Sequence, residues 1–301
     1  GHNKNKIDKL ASGEKEWILT SAWRNDVVNS DDYRAYVGGT SGLIYGYVND
    51  GFYTVADFES FDSKSRTWKL KEGVVDSSPL SDTPRPGNAK FKKLTPVDPN
   101  STNPYQLTEA DRTVIGNTTP KFSGGFGLNA TYKGFDMSMF FNFMYDFDVL
   151  NANKIMLTTW ADNKENNFLM DIASDKRWRN FDDMGNEIRY SPEVLAEFNK
   201  NATMWNPTSI GRPICMSYAV EDGSFLRLNS ATLGYTLPSV WTKKVGLSKV
   251  RFYVSGNNLF TLTGYSGYDP EVNIATGLTP NIDYNRYPRS RTYTFGAQLT
   301  F

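Results

Sequence analysis

Tyr293-Thr294-Phe295-Gly296-Ala297-Gln298-Leu299-Thr300-Phe301 is the stretch on which the fold turns. Successive side chains of an extended strand point to opposite faces, so Tyr293, Phe295, Ala297, Leu299 and Phe301 share one face. The other face carries Thr294, Gly296, Gln298 and Thr300. An apolar strand face at a chain end is an aggregation hazard unless something covers it. Lipid around a closed barrel is such a cover, because membrane barrels alternate lipid-facing apolar residues with small or polar residues facing the lumen.

The alternation recurs upstream. Phe122, Gly124, Phe126, Leu128, Ala130 and Tyr132 alternate with Ser123, Gly125, Gly127, Asn129 and Thr131. A tight Lys133-Gly134 turn then leads to Phe135, Met137, Met139, Phe141, Phe143, Tyr145 and Phe147, opposite Asp136, Ser138, Asn142 and Asp146, which predicts a hairpin. Between Lys249 and Leu262, Val250, Phe252, Val254, Phe260 and Leu262 oppose Lys249, Arg251, Ser255, Asn257 and Thr261. In the stretch 224–237 the apolar phase slips from Leu226 and Leu228 to Ala231, Leu233, Tyr235 and Leu237, which predicts a strand with a bulge or a change of environment near Asn229. The aromatic and glycine-rich stretch 42–54 reads as a further strand.

Composition fits this reading. The 301 residues carry 33 Lys and Arg against 33 Asp and Glu, and 14% of them are aromatic. The mean hydropathy of -0.51 is too polar for helical spans, and no run approaches the ~18 apolar residues a spanning helix needs. Balanced charge without a basic patch argues against a nucleic-acid partner. A single cysteine, Cys215, forbids an intrachain disulfide, and the single histidine, His2, removes most histidine-based metal sites and Ser-His-Asp catalysis. Gly1-His2-Asn3-Lys4 lacks the apolar core of a signal peptide, so the expectation is an exported protein whose beginning is missing here.

Connections differ sharply in length. Lys133-Gly134 is minimal and 238–248 modest, whereas 55–120, 148–222 and 263–290 are long. Short periplasmic turns and long extracellular loops are the asymmetry of outer-membrane barrels. Ser191-Pro192-Glu193 opens a short helix inside the second long loop.

Several phrases together resemble the SusC/RagA family of TonB-linked outer-membrane transporters. They run, in order, through Ile44-Tyr45-Gly46-Tyr47-Val48-Asn49-Asp50-Gly51-Phe52, Asp111-Arg112-Thr113, Tyr132-Lys133-Gly134-Phe135-Asp136 and Gly223-Ser224-Phe225-Leu226-Arg227-Leu228. Leu233-Gly234-Tyr235-Thr236-Leu237-Pro238, Asn257-Asn258-Leu259-Phe260-Thr261, Tyr265-Ser266-Gly267-Tyr268-Asp269-Pro270-Glu271 and Tyr287-Pro288-Arg289 follow. The resemblance implies an all-β fold, an antiparallel transmembrane β-barrel of which residues 1–301 are the carboxyl-terminal part: about seven strands of the roughly 22 in such a plugged transporter. It implies location in the outer membrane of a Gram-negative bacterium, against lipid. The rest of the barrel and its plug, TonB acting through a missing amino-terminal region, a SusD-like surface lipoprotein and the barrel-assembly machinery are the implied partners. The implied function is TonB-dependent uptake of glycan oligosaccharides or peptides, with no catalysis.

Candidate site residues follow from the loops. Trp160, Trp178, Trp205, Tyr265 and Tyr268 fall in predicted extracellular loops, where aromatics stack on sugars, grip a peptide, pack the loop or touch a partner. Tyr132, Phe147, Tyr235 and Tyr293 at strand ends read as an interfacial girdle. Tyr293, Phe295, Leu299 and Phe301 are the expected assembly signal. Asp98, Asn100, Thr102 and Glu109 have the 1, 3, 5, 12 spacing of a calcium loop, but Asn103 stands where such loops need glycine, so a polar turn without metal or cofactor is expected. Asp269 and Glu271 lie close in sequence, yet adjacency alone does not make the spaced carboxylate pair of a glycosidase. The competing readings are a soluble β-rich carbohydrate-binding module, with its apolar faces buried between sheets, and an adhesin using a barrel as anchor.

Overall fold

A computed structural model of the protein describes residues 1–24, 27–28, 31–81, 83–159, 167–271 and 277–301. Five long antiparallel strands form one sheet: β1 (Phe122–Tyr132), β2 (Phe135–Tyr145), β3 (Phe225–Thr236), β4 (Lys249–Thr263) and β5 (Thr292–Thr300), each hydrogen-bonded to the next. The β1–β2 turn places Lys133 at φ 46° and Gly134 at φ 88°. This doubly left-handed geometry matches the twist of a two-residue hairpin and favours glycine.

Register decides which face each side chain takes. Phe135, Tyr235, Phe252 and Ala297 lie opposite one another across four strands, as do Asp136, Gly234, Tyr253 and Gly296 on the other face. The first set continues through Phe126, Leu128, Leu233 and Phe295, all exposed, with Phe295 80% so. Aromatic pairs cross this face, Phe126 with Phe141 at 4.9 Å and Phe135 with Tyr235 at 4.5 Å between centroids. The opposite face carries the Asp136–Arg251 ion pair and a Thr232–Ser255 hydroxyl contact of 2.8 Å. Apolar groups thus lie on one face and polar groups on the other, the arrangement of a barrel wall in lipid.

Of the two readings of the phase slip, the structure shows a bulge. Phe140 pairs with Ser230 and Phe141 with Leu228, leaving Asn229 as the extra residue. The phase slip in the sequence is therefore an inserted residue that keeps Leu226, Leu228, Ala231, Leu233 and Tyr235 on the same outer face.

All short connections lie at one end of the wall and all long ones at the other. The first end holds Lys133-Gly134, the 237–248 segment with helix α3 (Ser239–Thr242), and the terminal Phe301. At the second end the described residues of 4–121, 146–224 and 264–291 fold together. Helix α1 (Ala152–Met156) and helix α2 (Pro192–Phe198) belong to this body. One core joins the first two segments through Tyr47, Phe91, Leu107, Ile172, Trp205 and Met216. Another joins all three through Tyr33, Ile44, Leu150, Ile155, Cys215 and Ile282. Both are buried from water, so these loops are a packed body and not loose excursions.

Two expectations are corrected here. The stretch 42–54 is not a wall strand: Leu43–Gly46 and Asn49–Phe52 are short strands in separate small sheets of the loop body. Its aromatics are apolar because they fill that core, Tyr47 being 2% and Tyr53 0% exposed. Phe147 leaves the girdle for the same reason. The chain turns at Asp146, φ 60°, and Phe147 packs inward with Val149, Phe225 and Tyr265. Tyr132 and Tyr293 do stand exposed on the outer face. No helix among the described residues is long and apolar enough to cross a membrane, which has no bearing on strands.

Candidate functional site

The loop body opens into a cleft of about 700 Å³ between α1 and the third loop segment. Its floor is built by short-range chemistry. The chain enters along the strand Asp148–Asn151, which pairs in parallel with Ile282–Asp283. The Asn151 side chain then caps α1 by accepting from the Lys154 amide at 3.1 Å, satisfying a donor that a helix start leaves free.

Two carboxylates, the buried Asp283 and the half-buried Glu221, hold the floor together. Asp283 accepts from the Tyr265 hydroxyl at 2.7 Å and from the Asn153 amide at 3.0 Å. Burial raises its pKa, a shift these two donors only partly oppose. Glu221 is also desolvated by burial, yet its pKa is lowered, because donation from Ser266 and the charge of Lys154 outweigh the desolvation. The Lys154 ammonium lies 3.4 Å from Glu221 and 4.4 Å from the Tyr218 ring centroid.

The rim is different in kind. Tyr268 is 84% and Tyr287 88% exposed, and the exposed Arg286 stands beside them. A second cavity of about 240 Å³ shares Tyr268 and Pro288 with the first and is lined by Arg227, Asp269, Arg289 and Arg291. Aromatic faces beside hydrogen-bonding groups in a concave site suit a flat or ring-bearing solute. Asp269 and Glu271 are not an acid–base pair: Arg227 and Arg289 hold them as ion pairs.

The sequence candidates separate by burial. Trp178 is 2% exposed and packs with Ile188, Leu195 and Phe52. Trp205 is 1% exposed, donates its indole N–H to the Thr158 carbonyl at 3.4 Å and meets Tyr218 edge-on at 4.8 Å. Tyr265 lies under the cleft floor. These three are therefore core residues and do not offer a face to a solute. Trp160 lies outside the described residues. Of the four described candidates, Tyr268 stands at the rim. Sequence reasoning missed Tyr287, Arg286 and Lys154, although Tyr287 sits in a quoted phrase and Arg286 opens a run with three arginines in six residues.

The loop with calcium-like spacing forms a turn in which the Asp98 carboxylate accepts from the Asn100 amide at 2.9 Å. Among the described residues no three His, Cys, Asp or Glu side chains gather as a metal site. Nearby Asp111 is completely buried and accepts from the amides of Leu94, Thr95 and Thr108 at 2.7–2.9 Å, fixing the segment before β1.

Scanned against models of protein families, the chain matches none. Among curated proteins it is 32% identical over 305 residues to TonB-dependent receptor P3 of Formosa agariphila, spanning 99% of this chain and 26% of that one. It is 38% identical over 88 residues to TonB-dependent receptor SusC of Bacteroides thetaiotaomicron, 28% of this chain and 8% of that one. Among solved structures, all of the chain matches 26% of a chain in the RagAB peptide importer in its open-open state, with a TM-score of 0.59 and 22% identity. The chain thus spans about a quarter of the length of the relative it matches throughout. It belongs to the TonB-dependent receptors, β-barrel proteins of the bacterial outer membrane, and its five long strands are part of the barrel wall.

Proposed function

We propose that this chain is the carboxyl-terminal wall and outer loop body of an importer that takes glycan oligosaccharides or peptides across the outer membrane. In this reading the missing wall and plug complete the barrel, TonB supplies energy through the missing amino-terminal region, and a SusD-like lipoprotein covers the loop body. The chain binds and guides solute without catalysing a reaction. The observation that carries the reading is the wall itself, outward aromatics on one face and the Asp136–Arg251 pair on the other, topped by a packed body with an open cleft.

A soluble carbohydrate-binding module fits poorly. Such a module buries its sheet faces, whereas Phe126, Phe135, Phe252 and Phe295 are all exposed. An anchor for an adhesin has no need of a concave cleft between its loops. Tyr293, Phe295, Leu299 and Phe301 are proposed as the signal for barrel assembly, and Tyr268 as a solute contact.

The test is growth of a strain lacking the full-length receptor on oligosaccharides or peptides as sole nutrient, with and without TonB function. Loss of growth on one solute class, in both the receptor and the TonB mutants, supports import. Normal growth on every class, or a receptor recovered as a soluble protein without detergent, refutes it.

A further inference from the structure

We propose, resting on the import reading above, that the paired cavities on either side of Tyr268 form a subsite for an acidic saccharide. Its carboxylate or sulfate group is taken by Arg286 or Arg291, and its sugar ring lies on Tyr268 and Tyr287.

Charge accounting singles out these two arginines. Lys154 is matched by Glu221 at 3.4 Å, Arg227 by Asp269 at 2.5 Å and Arg289 by Glu271 at 2.9 Å. Arg286 and Arg291 are exposed and have no carboxylate partner among the described residues. The other acids that face the cavities are occupied. Asp269 and Glu271 are held by guanidinium groups, and Asp283 is turned to Tyr265 and Asn153. Asp283 has only neutral donors and offsets one of the two unmatched guanidinium charges, so the net charge of the described residues around Tyr268 is still positive.

Placement gives that charge a use. Arg286 lines the larger cavity and Arg291 the smaller, with Tyr268 and Pro288 common to both. A solute lying across Tyr268 meets an unmatched guanidinium on each side. The planar guanidinium fork binds carboxylate or sulfate through paired charge-assisted hydrogen bonds. Two exposed tyrosine faces at a rim favour a ring over an extended peptide backbone. The larger cavity lies within the size range of small-molecule sites.

The experiment is titration calorimetry on the full-length receptor in detergent. The probes are an oligogalacturonate, a sulfated galactan oligosaccharide, a neutral maltooligosaccharide and an oligoglutamate peptide. At least one acidic saccharide should bind, and the neutral one should bind at least about tenfold more weakly, the loss of one charge-assisted contact. Arg286→Gln and Arg291→Gln should reduce acidic-saccharide affinity and its salt sensitivity, and both changes are at exposed residues whose loss leaves no buried charge. Which acidic probe binds separates carboxylate from sulfate. Equal binding of neutral and acidic saccharides, insensitivity to both substitutions, no binding of either acidic saccharide, or preference for the peptide overturns the inference. Failure of the import reading is seen separately, in the growth assay.

Discussion

Arg227 of β3 and Asp269 of the third loop segment form a bidentate ion pair, Nη2 to Oδ1 at 2.5 Å and Nη1 to Oδ2 at 3.2 Å, with the guanidinium 1% exposed. Asn258 extends the contact, accepting from Arg227 Nη1 at 2.7 Å and donating to the Arg289 carbonyl at 2.9 Å. Phrases scattered over the sequence thus meet where the wall interior joins the loop body. The pair fastens the segment that carries Tyr268.

Breaking that pair should release the loop and spare the wall. Arg227→Ala leaves Asp269 buried without its partner, a loss of about 3–5 kcal/mol. The expected outcome is rapid proteolysis within 263–290 while the heat-modifiable barrel band persists. The double change Arg227→Met with Asp269→Leu should recover much of the protection, because it removes both charges. An unchanged digestion pattern in the single variant would show that the pair does not hold the loop.

Gly87 tests the loop core. It sits at φ 88°, and a Cβ there would lie 2.2 Å from the Trp178 ring. Gly87→Ala meets both backbone strain and a packed indole, so a loss of about 2–4 kcal/mol is expected. Trp178→Ala should cost about 3–5 kcal/mol through the cavity it leaves. Urea midpoints of the loop-body transition check both values.

Asp111 gives a pH dependence of known sign. Burial alone would raise its pKa, but hydrogen bonds from Thr95, Thr108 and Leu94 prevail and lower it from 3.8 to about 2. A carboxylate depressed in the folded state adds stability that is fully present above its unfolded value and is lost as pH falls from about 4 towards 2. Asp111→Asn should therefore cost about 2 kcal/mol at neutral pH, with the difference from wild type shrinking as pH falls from about 4 towards 2. Parallel unfolding curves across that window, with a constant difference, would contradict the assignment.

Exposure predicts opposite consequences for two aromatics. Tyr268→Ala should leave stability within about 0.5 kcal/mol of wild type, as for an exposed site, while weakening solute binding. Trp205→Ala should destabilise the loop body by about 3–5 kcal/mol, and any loss of binding should follow that unfolding. Binding isotherms beside melting curves for both variants distinguish the roles.

Phe301 and Phe295 bear on assembly. Replacing both by serine removes outward aromatics from the last strand without touching the loop body. The expectation is less receptor in the heat-modifiable form at equal synthesis, measured by semi-native electrophoresis of outer membranes.

The wall was legible because its information is local. A strand in lipid must alternate, so Phe122–Tyr132 and Thr292–Thr300 declare their faces in a few residues, and even Asn229 shows itself as a slip of phase. The stretch 42–54 misled because aromatic and glycine-rich sequence looks alike whether it faces lipid or fills a packed loop core. What decides between them is the partner across the contact, here Cys215–Ser217 beside Tyr47, about 170 residues away.

The site shows the same division. The sequence by itself determined that this is a membrane barrel wall with large loops, since period-two patterning and connection lengths follow from strand geometry. Tertiary structure decided which aromatics are free. Trp178, Trp205 and Tyr268 are all loop aromatics, but burial depends on how distant segments pack: the first two loop segments close over the tryptophans, while Tyr268 in the third stays open to solvent.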